Sequence, residues 1–241
     1  PANTTTFNVT ITGANGCTSE KSVVVTVNSL PNVTLTSSEN SVCKGDSTIL
    51  TAAGGFSYVW GFGGGTNSEI VFPNSNTTYT VTGIDTNNCS NSASVSVGLD
   101  SLPQPVINAN SDTICLGESV TLNTSSFSGY SWSQGDSSNS ITASPTSSNN
   151  TYSITVTDAN GCKGDTTKTI VVNSLPAASV SANQSICIGG STVLTATGGN
   201  SYSWSSGETS ASITKSPANT TTFNVTITGA NGCTSEKSVV V

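Results

Sequence analysis

Apolar and polar residues alternate along this chain in short runs separated by glycine, asparagine and proline. Near the middle, VTLNT places Val120 and Leu122 on one face and Thr121 and Asn123 on the other. That period of two predicts a half-buried strand. The same alternation turns Tyr130 and Trp132 inward in SGYSWSQ, and Tyr152, Ile154 and Val156 inward in TYSITVTD, with Ser153, Thr155 and Thr157 towards water. A short segment carries Ile141 inward, TKTIVVN supplies a last strand, and SLPQPVINAN reads as an edge strand, where proline's missing N–H does no harm. The pattern predicts six or seven antiparallel strands per unit, packed as a β-sandwich, and no helix.

Turn chemistry agrees with this map. DANG before Cys162 and GANG before Cys17 and Cys233 carry the Asn-Gly signal of a tight hairpin, since both residues tolerate positive φ. The first cysteine of each unit opens CKGDS, CLGES or CIGGS, just ahead of the second strand. Both cysteines are therefore expected at strand ends, where a bridge would tie a loop to a hairpin at one end of the sandwich.

These landmarks recur. Residues 1–25 reappear unchanged as residues 217–241, and SLP starts at Ser29, Ser101 and Ser174. Cys43, Trp60 and Cys89 are echoed by Cys115, Trp132 and Cys162, then by Cys187, Trp204 and Cys233, with 17 residues from cysteine to tryptophan each time. Phe7, Tyr79, Tyr152 and Phe223 each stand ten residues before a second cysteine. The chain thus divides into a C-terminal part of a repeat (1–28) and repeats at 29–100, 101–173 and 174–241, three unlike units making one period of a longer array. Cys17 is then the second cysteine of a repeat whose first half lies outside these residues.

A sandwich of about 72 residues buries little core and usually needs a staple. The expected bridges are Cys43–Cys89, Cys115–Cys162 and Cys187–Cys233, with Cys17 left for a partner beyond the 241 residues. Closing a loop of about 47 residues contributes on the order of 4 kcal/mol in the chain-entropy model. Such bridges imply an oxidising, extracellular setting.

Composition narrows the function classes. Only 8% of residues are charged, the net charge of -7 is spread in isolated acids, and there is no basic footprint for nucleic acid. No run of 18 apolar residues or charged leader is present, so neither a membrane span nor a signal peptide is expected within this stretch.

The succession C-x-G-x-S, a Tyr-x-Trp strand, a Ser-Pro before TYSITVTD and its Asn-Gly-Cys, and a closing VNSLP resembles the Ig-like repeats of very large cell-surface proteins secreted by the type IX route in gliding Bacteroidota. The resemblance spans essentially the whole chain. It implies tandem Ig-like sandwiches forming an end-to-end rod, surface export, adhesion and a part in gliding motility or fibres, though such repeats also serve as spacers beside enzymes or carbohydrate-binding modules. Asp followed by Ser or Thr and then an apolar residue or Thr, at Asp46, Asp100, Asp112 and Asp165, resembles the O-glycan acceptor motif of the same bacteria and marks Ser47, Ser101, Thr113 and Thr166 as candidate acceptors.

Candidate chemistry is sparse. There is no histidine, and carboxylates such as Asp46, Asp85, Asp158 and Glu208 are scattered, so the chain reads as non-enzymatic. No C-x2-C cluster favours zinc, no cofactor is implied, and at a repeat junction, where a calcium site would need clustered acids, only Asp100 is available. The tryptophans read as core, following an inward tyrosine on a central strand. The loops after them, GFGGGTN, SQGDSSN and SSGETSA, vary on a fixed frame, and Phe62 is the candidate contact.

Two readings follow. One is a stalk or fibre segment of a giant secreted adhesin, partnered by neighbouring repeats, with edge strands such as SVVVTV at 22–27 available to pair with other copies in a fibre. The other is a module that binds a glycan or surface through the loops after each tryptophan.

Overall fold

Threonine, valine and isoleucine at alternate positions produce strands throughout. The computed structural model describes the backbone of residues 1–241 and every side chain except that of Asn149; no helix forms among them. The chain makes two compact units, Pro1–Leu102 with Asn160–Cys162, and Pro103–Ala159 with Lys163–Val241.

The first unit opens with a hairpin, β1 (Thr5–Thr12) and β2 (Thr18–Val25), which forms a two-stranded sheet of its own. Seven strands follow: β3 (Thr34–Ser37), β4 (Ser41–Cys43), β5 (Thr48–Ala53), β6 (Ser57–Trp60), β7 (Ser68–Val71), β8 (Thr77–Ile84) and β9 (Ser90–Asp100). They build two sheets, β3-β5-β7 and β4-β9-β8-β6. Leu50, Trp60, Val81 and Val97 fill the space between these sheets.

The second unit holds two such sandwiches. Its first has β10 (Asn108–Ala109), β11 (Thr113–Cys115), β12 (Val120–Asn123), β13 (Gly129–Trp132), β14 (Ser140–Ala143), β15 (Asn149–Thr157) and β16 (Lys163–Asn173), in sheets β10-β12-β14 and β11-β16-β15-β13. Its second has β17 (Ser179–Val180), β18 (Thr192–Thr197), β19 (Ser201–Trp204), β20 (Ser212–Lys215), β21 (Thr222–Thr228) and β22 (Thr234–Val240), in sheets β17-β18-β20 and β19-β21-β22. Their cores centre on Leu122, Ile154 and Ile170, and on Leu194, Trp204 and Ile227.

The alternation read from sequence holds in detail. Val120, Leu122, Trp132, Ile141, Tyr152, Ile154 and Val156 are all buried, and SLPQPVINAN contributes β10 at a sheet edge. Tyr130 is only half-buried: its ring packs on the core while its hydroxyl accepts the Phe127 N–H at 2.7 Å. The expectation of wholly antiparallel sheets fails in two of the sheets. β4 runs parallel to β9, and β11 parallel to β16. These three-residue strands, SVC and TIC, are too short to show a period.

Candidate functional site

The cysteines are the chemically distinctive groups, and the parallel strands decide their partners. Cys43 ends β4 opposite Asp100, the last residue of β9, whereas Cys89 stands just before Ser90, the first residue of that same strand. Eleven residues of strand at roughly 3.3 Å each put the two cysteines of one repeat about 35 Å apart. Cys115 and Cys162 are related in the same way by β16, with Cys115 opposite Asn173 and Cys162 just before Lys163. A disulfide needs its Cα atoms within about 7 Å. The within-repeat bridges are therefore geometrically impossible here.

The bonds formed instead join the first cysteines of two repeats, Cys43 and Cys115, to the second cysteine of the following repeat. Cys43 is bonded to Cys162 and Cys115 to Cys233, with Cα atoms 5.5 and 5.6 Å apart and sequence separations of 119 and 118. This corrects the expected Cys43–Cys89, Cys115–Cys162 and Cys187–Cys233 pairs. Cys17, Cys89 and Cys187 are free thiols. The Cys43–Cys162 bridge draws the tip Asn160–Cys162 into the first compact unit. In the chain-entropy model, closing a loop of this length is worth about 5 kcal/mol, somewhat more than the shorter loop first expected.

The strand order explains why nearness along the chain does not set the partners. Four strands, β5 to β8, lie between Cys43 and Cys89, and strict up-and-down alternation would bring both cysteines to one end. Yet β6 and β8 are antiparallel neighbours with β7 between them in sequence, so one connection passes without reversing direction. The loop after Trp60 crosses there from one sheet to the other, because β6 and β7 belong to different sheets. A buried indole fixes each such crossing. Nε1 of Trp60 donates to Thr66 O at 2.8 Å, that of Trp132 to Ser138 O at 2.9 Å, and that of Trp204 to Ser210 O at 2.9 Å. All three rings are no more than 3% exposed, as core residues should be.

Three of the second cysteines, Cys17, Cys89 and Cys233, are presented by turns built on an acceptor side chain. Asp85 Oδ1 accepts the N–H groups of Asn87 and Cys89, both at 2.8 Å. Asn231 Oδ1 accepts the Cys233 N–H at 3.1 Å, and Asn15 Oδ1 the Cys17 N–H at 3.2 Å. The residue just before the cysteine takes positive φ, as Gly16, Gly161 and Gly232 in three turns and as Asn88, at 62°, in the fourth.

The other candidate residues occupy the surface. Phe62 is 48% exposed and lies against Trp60 and Tyr79, with ring centroids 5.6 Å away in each case. Ser47, Ser101 and Thr113 are exposed and Thr166 is half-buried. Asp100 accepts a hydrogen bond from the Ser41 hydroxyl at 2.7 Å, and Asp112 pairs with Lys168 at 2.8 Å. Glu208 accepts from the Lys215 ammonium, which, with Ser206 next, holds its carboxyl down to about 2. Among the described residues no three of Cys, Asp and Glu gather as a metal-holding group.

No protein-family model matches the sequence. No curated protein matches it either. Among solved structures, the chain is similar to a Ca2+-stabilised adhesin that helps an Antarctic bacterium bind ice, 16% identical over 98% of this chain and 80% of that one, TM-score 0.42. It is similar to a D1–D4 ectodomain fragment of ICAM-5, 14% identical over 99% and 82%, TM-score 0.46. It is also similar to a 1.5-MDa bacterial ice-binding adhesin, 15% identical over 89% and 98%, TM-score 0.35.

Proposed function

We propose that this chain is a segment of an extracellular stalk or fibre, in which Ig-like repeats (29–100, 101–173 and 174–241, after the partial repeat 1–28) are clamped in series so that a cell-surface protein keeps its adhesive end away from the cell. The observation that carries the reading is the bridging of each repeat to the next, by Cys43–Cys162 and Cys115–Cys233. A bridge within a repeat would stabilise that repeat alone. A bridge between repeats resists their separation, which is what a tethered chain under tension requires. Persistent disulfides support an extracellular location, and the absence of histidine supports a non-enzymatic role. The finer placing, among type IX-secreted adhesins of gliding Bacteroidota, rests on the resemblance of the repeat landmarks, as do O-glycans at Ser47, Ser101, Thr113 and Thr166.

Single-molecule stretching tests the stalk. The two bridged loops overlap, so the shortest covalent path through the oxidised chain bypasses about three-fifths of the residues. Oxidised chains should release roughly two-fifths of the contour length of reduced ones, at about 3.5 Å per extended residue. Equal lengths before and after reduction would defeat the reading. Intact-mass analysis of the secreted protein decides the glycans, and bare Ser47, Ser101, Thr113 and Thr166 would remove them.

The half-exposed Phe62 beside a variable loop favours a second reading, recognition of a glycan or surface through the loops that follow the tryptophans. A glycan array probed with the whole chain separates the two, since a pure stalk binds nothing.

A further inference from the structure

The edge strand β7 sets the first complete repeat apart from its sisters. Along β7 and just past it, Ser68, Ile70 and Phe72 point to water while Val71 and Pro73 point to the core. Ile70 is 62% and Phe72 66% exposed, and Ile49, across from Ile70 on β5, is 46% exposed. The same outward row reads Ser140, Thr142 and Ser144 in the second repeat and Ser212, Thr214 and Ser216 in the third. Polar side chains of that kind blunt an edge that would otherwise template another strand, and β7 lacks them.

The main chain of β7 is open as well. Among the described residues β5 is the only strand beside it. Ile49 turns its backbone the other way, its carbonyl accepting the Ser38 N–H at 2.9 Å and its N–H donating to the Ser38 hydroxyl at 3.1 Å. Bonded and non-bonded pairs alternate along an antiparallel ladder. Ile49 and Ile70 are thus a non-bonded pair, and the N–H and C=O of Ser68 and Ile70 point away from β5, to the free edge.

We propose that β7 is a docking edge for the same strand of a second copy of this chain, paired antiparallel about Ile70. The strand is complementary to itself. In that register Ile70 of each copy exchanges both backbone hydrogen bonds with Ile70 of the other, and Ser68 stands opposite Phe72. The outward row carries no charge, so no like charges meet across the seam; Glu69 lies on the other face, accepting from the Thr66 hydroxyl at 2.7 Å. Pro73, which has no N–H to offer, falls in the row that faces β5. Two three-stranded sheets become one, and Ile49, Ile70 and Phe72 of both copies form a continuous apolar stripe. These side chains offer on the order of 300 Å² per copy, less than half of the about 800 Å² per partner in a stable complex. A single contact is therefore weak, and gains strength where many copies are displayed together. The inference rests on the first repeat's own residues and stands apart from the stalk reading.

Amide hydrogen exchange of the whole chain, followed by NMR from micromolar to millimolar concentration, tests the pairing. The Ser68 and Ile70 amides, open in a lone copy, should exchange severalfold more slowly at the higher concentration, whereas Glu69 and Val71, whose amides already face β5, should not change. Exchange at Ile70 that ignores concentration would overturn the proposal, even if the chain self-associates through another surface. Ile70→Lys should abolish the slowing at Ser68, and Thr142→Lys, at the same place in the second repeat, should leave it intact. Slowing that survives Ile70→Lys would also overturn the pairing. Should that variant not fold, Ile70→Thr/Phe72→Ser, which installs residues the second repeat carries in this row, must lose the slowing; its retention would refute the docking.

Discussion

Cys43 lies directly across from Asp100, and this parallel pairing sends the two cysteines of a repeat to opposite ends of one strand. Peptide mapping of the unreduced protein should recover Cys43 joined to Cys162 and Cys115 joined to Cys233, with no Cys43–Cys89 peptide. Replacing Cys43 and Cys162 together by serine should lower stability by up to about 5 kcal/mol, the loop-closure value, as read by denaturant unfolding.

The duplicated hairpin permits an internally controlled experiment. Ile227 is fully buried and Ile11 is exposed in the same local sequence. Ile227→Ala should cost about 2–5 kcal/mol, whereas Ile11→Ala should stay within about 0.5 kcal/mol of the parent. Equal effects in thermal unfolding would contradict the packing described.

Each indole N–H ties its crossing loop to the core. In Trp132→Phe the ring is replaced by a smaller one and the Ser138 carbonyl loses its donor. A loss of about 1–3 kcal/mol is expected, together with faster hydrogen exchange across residues 133–139.

Asn88 occupies a positive-φ position that three sister turns fill with glycine. Asn88→Gly relieves backbone strain but adds freedom to the unfolded chain, so the net gain should be small, up to about 1 kcal/mol. A lower melting temperature in that variant would show that the turn is held by something other than backbone preference.

Glu208 has its carboxyl lowered to about 2 by Lys215 first and then Ser206, whereas an unfolded glutamate titrates near 4.3. A depressed folded pKa stabilises the fold above the unfolded value, and that stabilisation is lost as pH falls through about 2. Glu208→Gln should therefore lower the melting temperature slightly at neutral pH, with the gap closing towards pH 2 and shrinking in high salt.

The strands, the buried tryptophans and the edge position of the proline-rich segment were legible because each has a local signature in the alternation of side chains. The disulfide partners were not. Cys43 and Cys89 share a repeat in sequence, and proximity along the chain suggested a bond that a non-reversing connection after Trp60 prevents. That connection has no periodicity to read. It is set by the indole hydrogen bond to Thr66 and by the sheet to which β7 belongs, both tertiary facts. Proline-containing junctions likewise marked the repeats, but gave no hint that the tip Asn160–Cys162 joins the first compact unit.

The overlap of the two bridged loops has a further consequence, for survival outside the cell. A cut at any peptide bond between Cys43 and Cys233 leaves the pieces covalently joined, because Cys43–Cys162 spans the first part of that stretch and Cys115–Cys233 the rest. A protease must strike more than once, in the right places, before the strand parts. In linkage terms the molecule behaves as a two-ply cord, and a single nick leaves it whole.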